Sequence, residues 1–507
     1  LIQAGIHAGE IDGKDAGFML IRDMVIRGSM DSLLDKASLL FIPIFNVDGH
    51  ERFGPYNRIN QSGPEEMGWR VTAQNLNLNR DFLKADAPEM QAWLRLFNEW
   101  KPDFLVDCHV TDGADYQYAV TYDLERYTNI AEPLRVLNTG TLVPFLEQKM
   151  ENEGFPVIHY VMFRNWSDIN SGLMARATAP RYSTGYGAVR NRIFFLIETH
   201  MLKDYKTRVT ATYKMLKNLL LFINRYSGEL RSANQKADRL TADSLQGRYL
   251  PIQFETSMQD SEMIDFRGVK YDRISSDISG TDRVIYHTEQ PHTFKMPYYN
   301  TVSVKDSVQV PYAYLVPPQW KLQIDRLRLH GLNILYLKRD TTLQVNSYRF
   351  TGVQWRELPF EGHHTVSCTT EPLQEKRFFP AGTAVIIMNQ PASRAAVHLL
   401  EPKAPDSFIS WGFWDTIFEQ KEYAEGYVME QLAREMLKKN PRLKEEFQSK
   451  LAGDSAFAAS PRQRLYFFYR RSPYWDERLN LYPVRILPEK TVLPLTEETP
   501  FFQGEIQ

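Results

Sequence analysis

The sequence predicts an α/β layer fold followed by a β-rich region, for a chain of 507 residues. Three observations lead there. Through roughly the first 225 residues, short apolar runs alternate with amphipathic stretches at helical spacing. After residue 247, Tyr, Val, Thr, Ser and Asp dominate in short alternating runs. From residue 413 onward, proline-led helical stretches return.

Leu1–Ile6, Ser38–Phe45, Asp103–Cys108 and Ile193–Ile197 read as buried strands. Asp86-Ala87-Pro88 opens a helix, with Met90, Trp93, Leu94, Phe97 and Trp100 on one stripe and Pro88 where an early proline is tolerated. Val209, Tyr213, Leu216, Leu220 and Ile223 mark a second helix. Strands alternating with helices imply a buried, parallel or mixed sheet with helices packed on it. Residues 229–247 are polar and helical in pattern and read as a linker between a first domain, 1–228, and a second, 248–507. In the second domain TVSVKDSVQV suggests β-hairpins, and Pro317-Pro318 to Gly331 brackets a helix. Asn440-Pro441 and Ser460-Pro461 are cap-then-proline helix starts.

The formal charge is −2, which leaves no global basic footprint for nucleic acid. Mean hydropathy is −0.41, and no run approaches the ~18 apolar residues of a membrane span. Two cysteines make no disulfide framework. The chain opens inside a strand at Leu1, so preceding sequence, with any signal peptide, is expected to be missing.

Four leads carry chemistry. His7-Ala8-Gly9-Glu10 follows the first strand, and a strand-to-turn junction can bend both side chains toward one metal. The same spacing also suits a structural histidine. His398-Leu399-Leu400-Glu401 repeats the pattern, but RAAVHLLEP reads as a continuous strand whose i and i+3 residues face apart. His109 ends the strand KPDFLVDCH, with Asp107 two residues back on its face and able to orient it. Cys108 points the other way. Two histidines and a glutamate form a three-ligand set with a fourth position open, as in catalytic zinc sites. Glu198 ends the strand IFFLIETH, where it would serve as a general base or sit in a structural ion pair. His200 reads as supporting. Between these lie Asn46-Val47-Asp48-Gly49, Trp69-Arg70 and the run Asn75 to Phe82. An Asn79-Arg80 pair can grip a carboxylate, and a further arginine such as Arg70 can stabilise an oxyanion; either is equally a solvated loop residue.

Taken together and in this order, H-A-G-E, N-V-D-G, W-R, N-L-N-R-D-F, K-P-D-F-L-V-D-C-H and the strand ending I-E-T resemble the zinc carboxypeptidase family. The resemblance covers residues 1–225. It implies a three-layer α/β/α sandwich around a mixed, mostly parallel sheet of eight strands, here without its first strands. It also implies one Zn²⁺ held by His7, Glu10 and His109, with Glu198 as general base. Asn79 and Arg80 would bind the substrate's terminal carboxylate and Arg70 the oxyanion, with Arg58 a rival for that part. The family's mobile-loop tyrosine would be Tyr186 or Tyr182, with Tyr186 preferred because Gly185 and Gly187 flank it. Residues 248–507 would be a β-rich accessory domain.

The function implied is carboxypeptidase action on a peptide or protein with a free C-terminus, outside the cytoplasm (secreted or periplasmic). The alternatives are a zinc amidohydrolase acting on N-acyl amino acids and a non-catalytic binding protein on the same scaffold. His363, His364 and Cys368 lack ligand spacing, and RLYFFYRRSPYW reads as a packed helix with snorkelling arginines.

Overall fold

The computed structural model describes residues 1–166 and 168–497; 498–507, inside the expected second domain, lie outside the described residues. In chain order the first half contains β1 (Ile2–Ala4), α1 (Asp12–Ile21), β2 (Phe41–Ile42), α2 (Val47–Glu51), α3 (Pro88–Trp100), β3 (Phe104–Thr111) and β4 (Val120–Asp123). Then follow α4 (Glu132–Leu137), α5 (Val143–Asn152), β5 (Leu173–Met174), α6 (Ser183–Val189), β6 (Ile193–His200), α7 (Tyr205–Arg225) and α8 (Ser227–Ser244).

Five strands form the central sheet in the order β2-β1-β3-β6-β4, parallel except for β4. The eight-stranded sheet implied by the family is thus represented here by five. The strand expected over Ser38–Phe45 shrinks to β2, because Pro43 supplies no N–H to the ladder. One face of the sheet (Ile2, Phe104, Val106, Cys108, Ile197) packs on α1, α7 and α8. The other (Leu105, Phe194) packs on Trp93, Leu94 and Phe97 of α3 and Tyr186 and Val189 of α6. Alternate residues of each strand therefore feed two apolar layers, which makes the three-layer sandwich. Gly13 sits where an added Cβ would lie 2.3 Å from Cys108 Cβ, so α1 closes directly onto β3.

The second half is β-rich. A two-stranded sheet pairs β7 (Tyr249–Thr256) with a later strand, and β8 (Glu262–Ser275) and β9 (Asp282–Tyr299) form a long hairpin. That hairpin pairs with β5 of the first half through β9. After β10 (Val302–Gln309), the partner of β7, come β11 (Ala313–Val316), α9 (Lys321–Leu329), β12 (Leu335–Leu337), β13 (Thr341–Trp355), β14 (Val366–Phe379), β15 (Ala384–Ile387) and α10 (Ser393–Leu400). Helices α11 (Gly426–Lys439), α12 (Pro441–Gly453), α13 (Ser455–Ala459) and α14 (Pro461–Tyr469), then β16 (Arg485–Leu487) and β17 (Leu495–Thr496), complete the chain. A seven-stranded sheet runs β14-β13-β16-β11-β15-β12-β17. Asn440 and Ser460 cap α12 and α14 through Leu443 N and Gln463 N, as their proline spacing predicts.

Two expectations change. RAAVHLLEP is a helix, α10, not a strand; every residue of it is buried, so it carries no periodicity to betray its type. The expected linker, 229–247, is largely α8, and it lies on the first half with Leu230, Ala233 and Ala237 buried. One apolar cluster runs across both halves, joining Phe82, Trp93 and Tyr186 to Tyr314, Leu327 and Trp414.

Candidate metal centre

The site stands at the C-terminal ends of β1, β3 and β6, where open α/β sheets place their ligands. Gly5, at φ +67°, turns the chain out of β1 and delivers His7 and Glu10 to the sheet end. The parallel register pairs His109 of β3 with Glu198 of β6, so both side chains leave the sheet on one face. His7, Glu10 and His109 are buried, and their ligand atoms lie within 4.8 Å of one another.

The imidazoles are locked from behind. His7 Nε2 lies 3.2 Å from Asn77 Oδ1, an oxygen that also accepts Asn79 N–H at 3.1 Å. The Nε2–H of His7 is therefore the donor, and its Nδ1 carries the lone pair. His109 Nε2 lies 3.1 Å from Asp107 Oδ2, a carboxylate placed to draw that ring's proton to Nε2 when its Nδ1 holds a cation. Asp107 is fixed in turn by Gln3 Nε2 at 2.9 Å, and Gln3 Oε1 accepts Trp93 Nε1–H at 2.8 Å. Both Nδ1 atoms then face the Glu10 carboxylate, His7 toward Oε1 and His109 toward Oε2, each at 3.0 Å. Three ligand atoms gathered this closely in a buried pocket are placed to share one cation. Two imidazoles and a carboxylate are the donor set that suits zinc, and the residues fit that ion.

Electrostatics follow the geometry. Burial works against ionisation of Glu10, but His7 and Arg58 outweigh it and hold its carboxyl well below the usual range. Burial pushes Glu198 up to about 8, with Glu10 and Asp107 adding to the rise and His109 opposing it. Among the described residues, His7, Glu10 and His109 are the one cluster with metal-ligand geometry.

A cleft of about 540 Å³ opens over these groups. Arg58, Arg70, Asn79, Arg80, Tyr182 and Glu198 all line it. Arg58 Nη2 lies 2.9 Å from Glu10 Oε1, and Arg70 Nη1 3.6 Å from the same atom, so both arginines named from sequence face the site. Gly68 lets the segment carrying Arg70 press on Ala8, where an added Cβ would meet Ala8 O at 2.6 Å. Arg208 of α7 donates to Ser62 O and Gly63 O and pairs with Asp12 at 2.8 Å, which ties down the loop carrying Arg58. Asn79 and Arg80 lie on a 3-10 turn, Leu78–Arg80, capped by Asn77. The Asn79 amide oxygen is buried without a partner in the described structure, as befits a ligand-facing group.

The preference for Tyr186 is corrected. Tyr186 is fully buried, and its hydroxyl joins His330 Nδ1 at 2.9 Å and Arg190 Nη1 at 2.7 Å. Tyr182 lines the cleft instead, with the Arg80 guanidinium 4.4 Å over its ring. His200 is structural: its Nε2–H donates to Ala114 O at 2.9 Å. In the decoy, Glu401 accepts from Tyr314 and Tyr348 and makes no pair with His398. Asp123, Tyr160 and Arg176, which also line the cleft, carry no signal in the sequence. Asp123 is opposite Leu196 in the β4–β6 register, a relation no local pattern announces.

The zinc carboxypeptidase family model matches residues 1–138, a span that contains all three ligand candidates. Those residues are similar to the zinc carboxypeptidase family. The chain is similar to Carboxypeptidase 2 of Trichophyton tonsurans, 23% identical over 428 residues, covering 81% of this chain and 73% of that protein. Carboxypeptidase 2 of Trichophyton rubrum matches with the same figures. The fold is similar to a metallo-carboxypeptidase from Pseudomonas aeruginosa (TM-score 0.34, 19% identity, 45% of this chain). This chain spans a little over half of that protein, 57%. The carboxypeptidase A of Helicoverpa armigera gives a TM-score of 0.30 at 15% identity, covering 46% of this chain and 60% of that one. The family-model match ends before Glu198, whose place beside His109 comes from the strand register.

Proposed function

We propose that the chain is a zinc-dependent metallocarboxypeptidase that removes C-terminal residues from peptides, with one zinc held by His7, Glu10 and His109. The observation that carries this reading is the convergence of His7 Nδ1 and His109 Nδ1 on the Glu10 carboxylate, with Glu198 alongside in register. The family match over residues 1–138 and the relatives named carboxypeptidase support it. Zinc at this centre supplies Lewis acidity, polarising a carbonyl and lowering the pKa of water.

The chain's own residues do the rest. Arg80 and Asn79 hold the terminal carboxylate of the substrate through a guanidinium and an amide. That fixes the last peptide bond over Glu198. The Glu198 carboxylate takes a proton from the attacking water and returns it to the departing amine, so the C–O bond forms and the C–N bond breaks with the proton accounted for. Arg70 faces the carbonyl oxygen as negative charge develops on it. Tyr182, stacked under Arg80, closes the side of the cleft.

The substrate is a peptide or protein with a free C-terminus, and the same reading puts the enzyme outside the cytoplasm. Among the described residues no helix is long and apolar enough to cross a membrane. The test compares one peptide as free acid, the same peptide amidated, and an N-acyl amino acid. Selective cleavage of the free acid supports the proposal; preference for the acyl amino acid favours a deacylase instead, and turnover of none of the three favours a binding protein.

A further inference from the structure

The segment that follows the Asn79-Arg80 pair is held in part from outside its own half of the chain. Arg80 runs directly into Asp81, a fully buried carboxylate that accepts from Lys84 Nζ at 2.5 Å and from the N–H groups of Asp86 and Ala87. Lys84 also reaches Asp86 Oδ2 at 2.9 Å. Asp86 is then gripped by the second half: Arg326 Nη2 at 2.8 Å and His363 Nε2 at 2.7 Å. Arg326 Nε also donates to Lys84 O at 2.9 Å. A second grip reaches Tyr182, the ring on which Arg80 lies. Its neighbour Arg181 donates its backbone N–H to Asp406 Oδ2 at 3.0 Å and pairs through Nε with Oδ1 at 2.7 Å. Asp406 is fully buried. One buried ring, Trp411, lies under both cations, 5.2 Å from Arg181 and 5.6 Å from Lys84.

We propose that the C-terminal half is part of the substrate site: Arg326, His363 and Asp406 are positioning residues that set Arg80 and Tyr182 for the terminal carboxylate. This deepens the reading of Arg80 given above and rests on it. Two charged grips from the second half thus reach the segments that carry Arg80 and Tyr182, one through Asp86 and one through Arg181. Residues whose role is to orient a binding group affect binding of that group more than the chemical step.

The test uses the full chain with Arg326→Gln, Asp406→Asn and His363→Ala, beside Arg80→Ala as the control. His363 lies on a half-exposed turn, so its variant keeps the test alive if the buried ones fold poorly. Each is read for KM and kcat on a free-acid peptide, for inhibition by an N-acyl amino acid against its amide, and for bound zinc. The positioning role predicts KM raised about 5- to 10-fold with kcat within about twofold. It also predicts unchanged zinc, weaker discrimination of acid from amide, and recovery of most of the loss in Arg326→Lys. Unchanged KM and unchanged discrimination in all three, with Arg80→Ala impaired, would overturn the proposal and leave the carboxylate reading standing. If Arg80→Ala is itself unimpaired, the carboxylate reading fails first. Equal loss of kcat, zinc and thermal stability would mark the three residues as merely structural and also overturn it.

Discussion

His109 Nδ1 lies 3.0 Å from Glu10 Oε2, across 99 residues of sequence, and Asp107 stands behind the same ring. A ring held in one tautomer presents its lone pair without reorganising, and a carboxylate behind it raises its basicity. Asp107→Ala is therefore expected to weaken zinc affinity about 10- to 100-fold while the fold persists. Competition with a chromogenic chelator reads this directly. Affinity equal to that of the parent protein would mean that Asp107 does not orient the ligand.

Glu198 offers a proton-transfer group without being one of the three ligands. Glu198→Gln keeps shape and removes basicity, so zinc content should stay at the parent level. The rate, kcat, should drop about 10²- to 10⁴-fold with KM little changed. Metal analysis and steady-state kinetics on one preparation check both halves. A variant that turns over at the parent rate removes Glu198 from the mechanism.

Lys84 is a buried cation, 1% exposed in its side chain, between Asp81 and Asp86. Removing one partner of such a cluster strands the others. Lys84→Ala is expected to cost about 3–5 kcal/mol of stability, visible as a lower urea midpoint. Replacement of Lys84 that leaves the midpoint in place would show that the remaining partners of Asp81 and Asp86 satisfy the two carboxylates without it.

Glu401 gives a pH signature far from the metal centre. Burial pushes its carboxyl up to about 7 against an ordinary 4.5, while the Tyr314 and Tyr348 hydroxyls partly offset the rise. The folded state thus binds a proton there that the unfolded state releases. This contribution is fully present below pH 4.5 and is lost as pH rises through about 7. It amounts to at most about 3 kcal/mol. Comparing Tm at pH 5 and pH 8, Glu401→Gln should lose less on going up than the parent does. Parallel losses in the two proteins would contradict the assignment.

Much of the metal centre is legible because each group ends a strand. His7, His109 and Glu198 follow apolar runs, and a parallel sheet brings such ends together without a long-range signal. Asp107 is legible from its i−2 spacing. Tyr186 misleads because its flanking glycines suggest a mobile loop. They serve close packing instead: a Cβ on Gly185 would meet the Thr178 and Ala179 carbonyls at 2.4 Å, and one on Gly187 would meet Phe194 at 2.5 Å. The HLLE decoy misleads for another reason, since a helix buried all round shows the same unbroken apolar run as a buried strand. The grips of Arg326, His363 and Asp406 on residues more than 200 positions away leave no local pattern at all.

The most direct test of the central claim is zinc stoichiometry measured together with cleavage position on a peptide pool. The account predicts one zinc per chain, loss of C-terminal trimming when a chelator removes it, and return of trimming when zinc is restored. Undiminished trimming by metal-free protein, or zinc retained after His7 and His109 are both replaced by alanine, would contradict it.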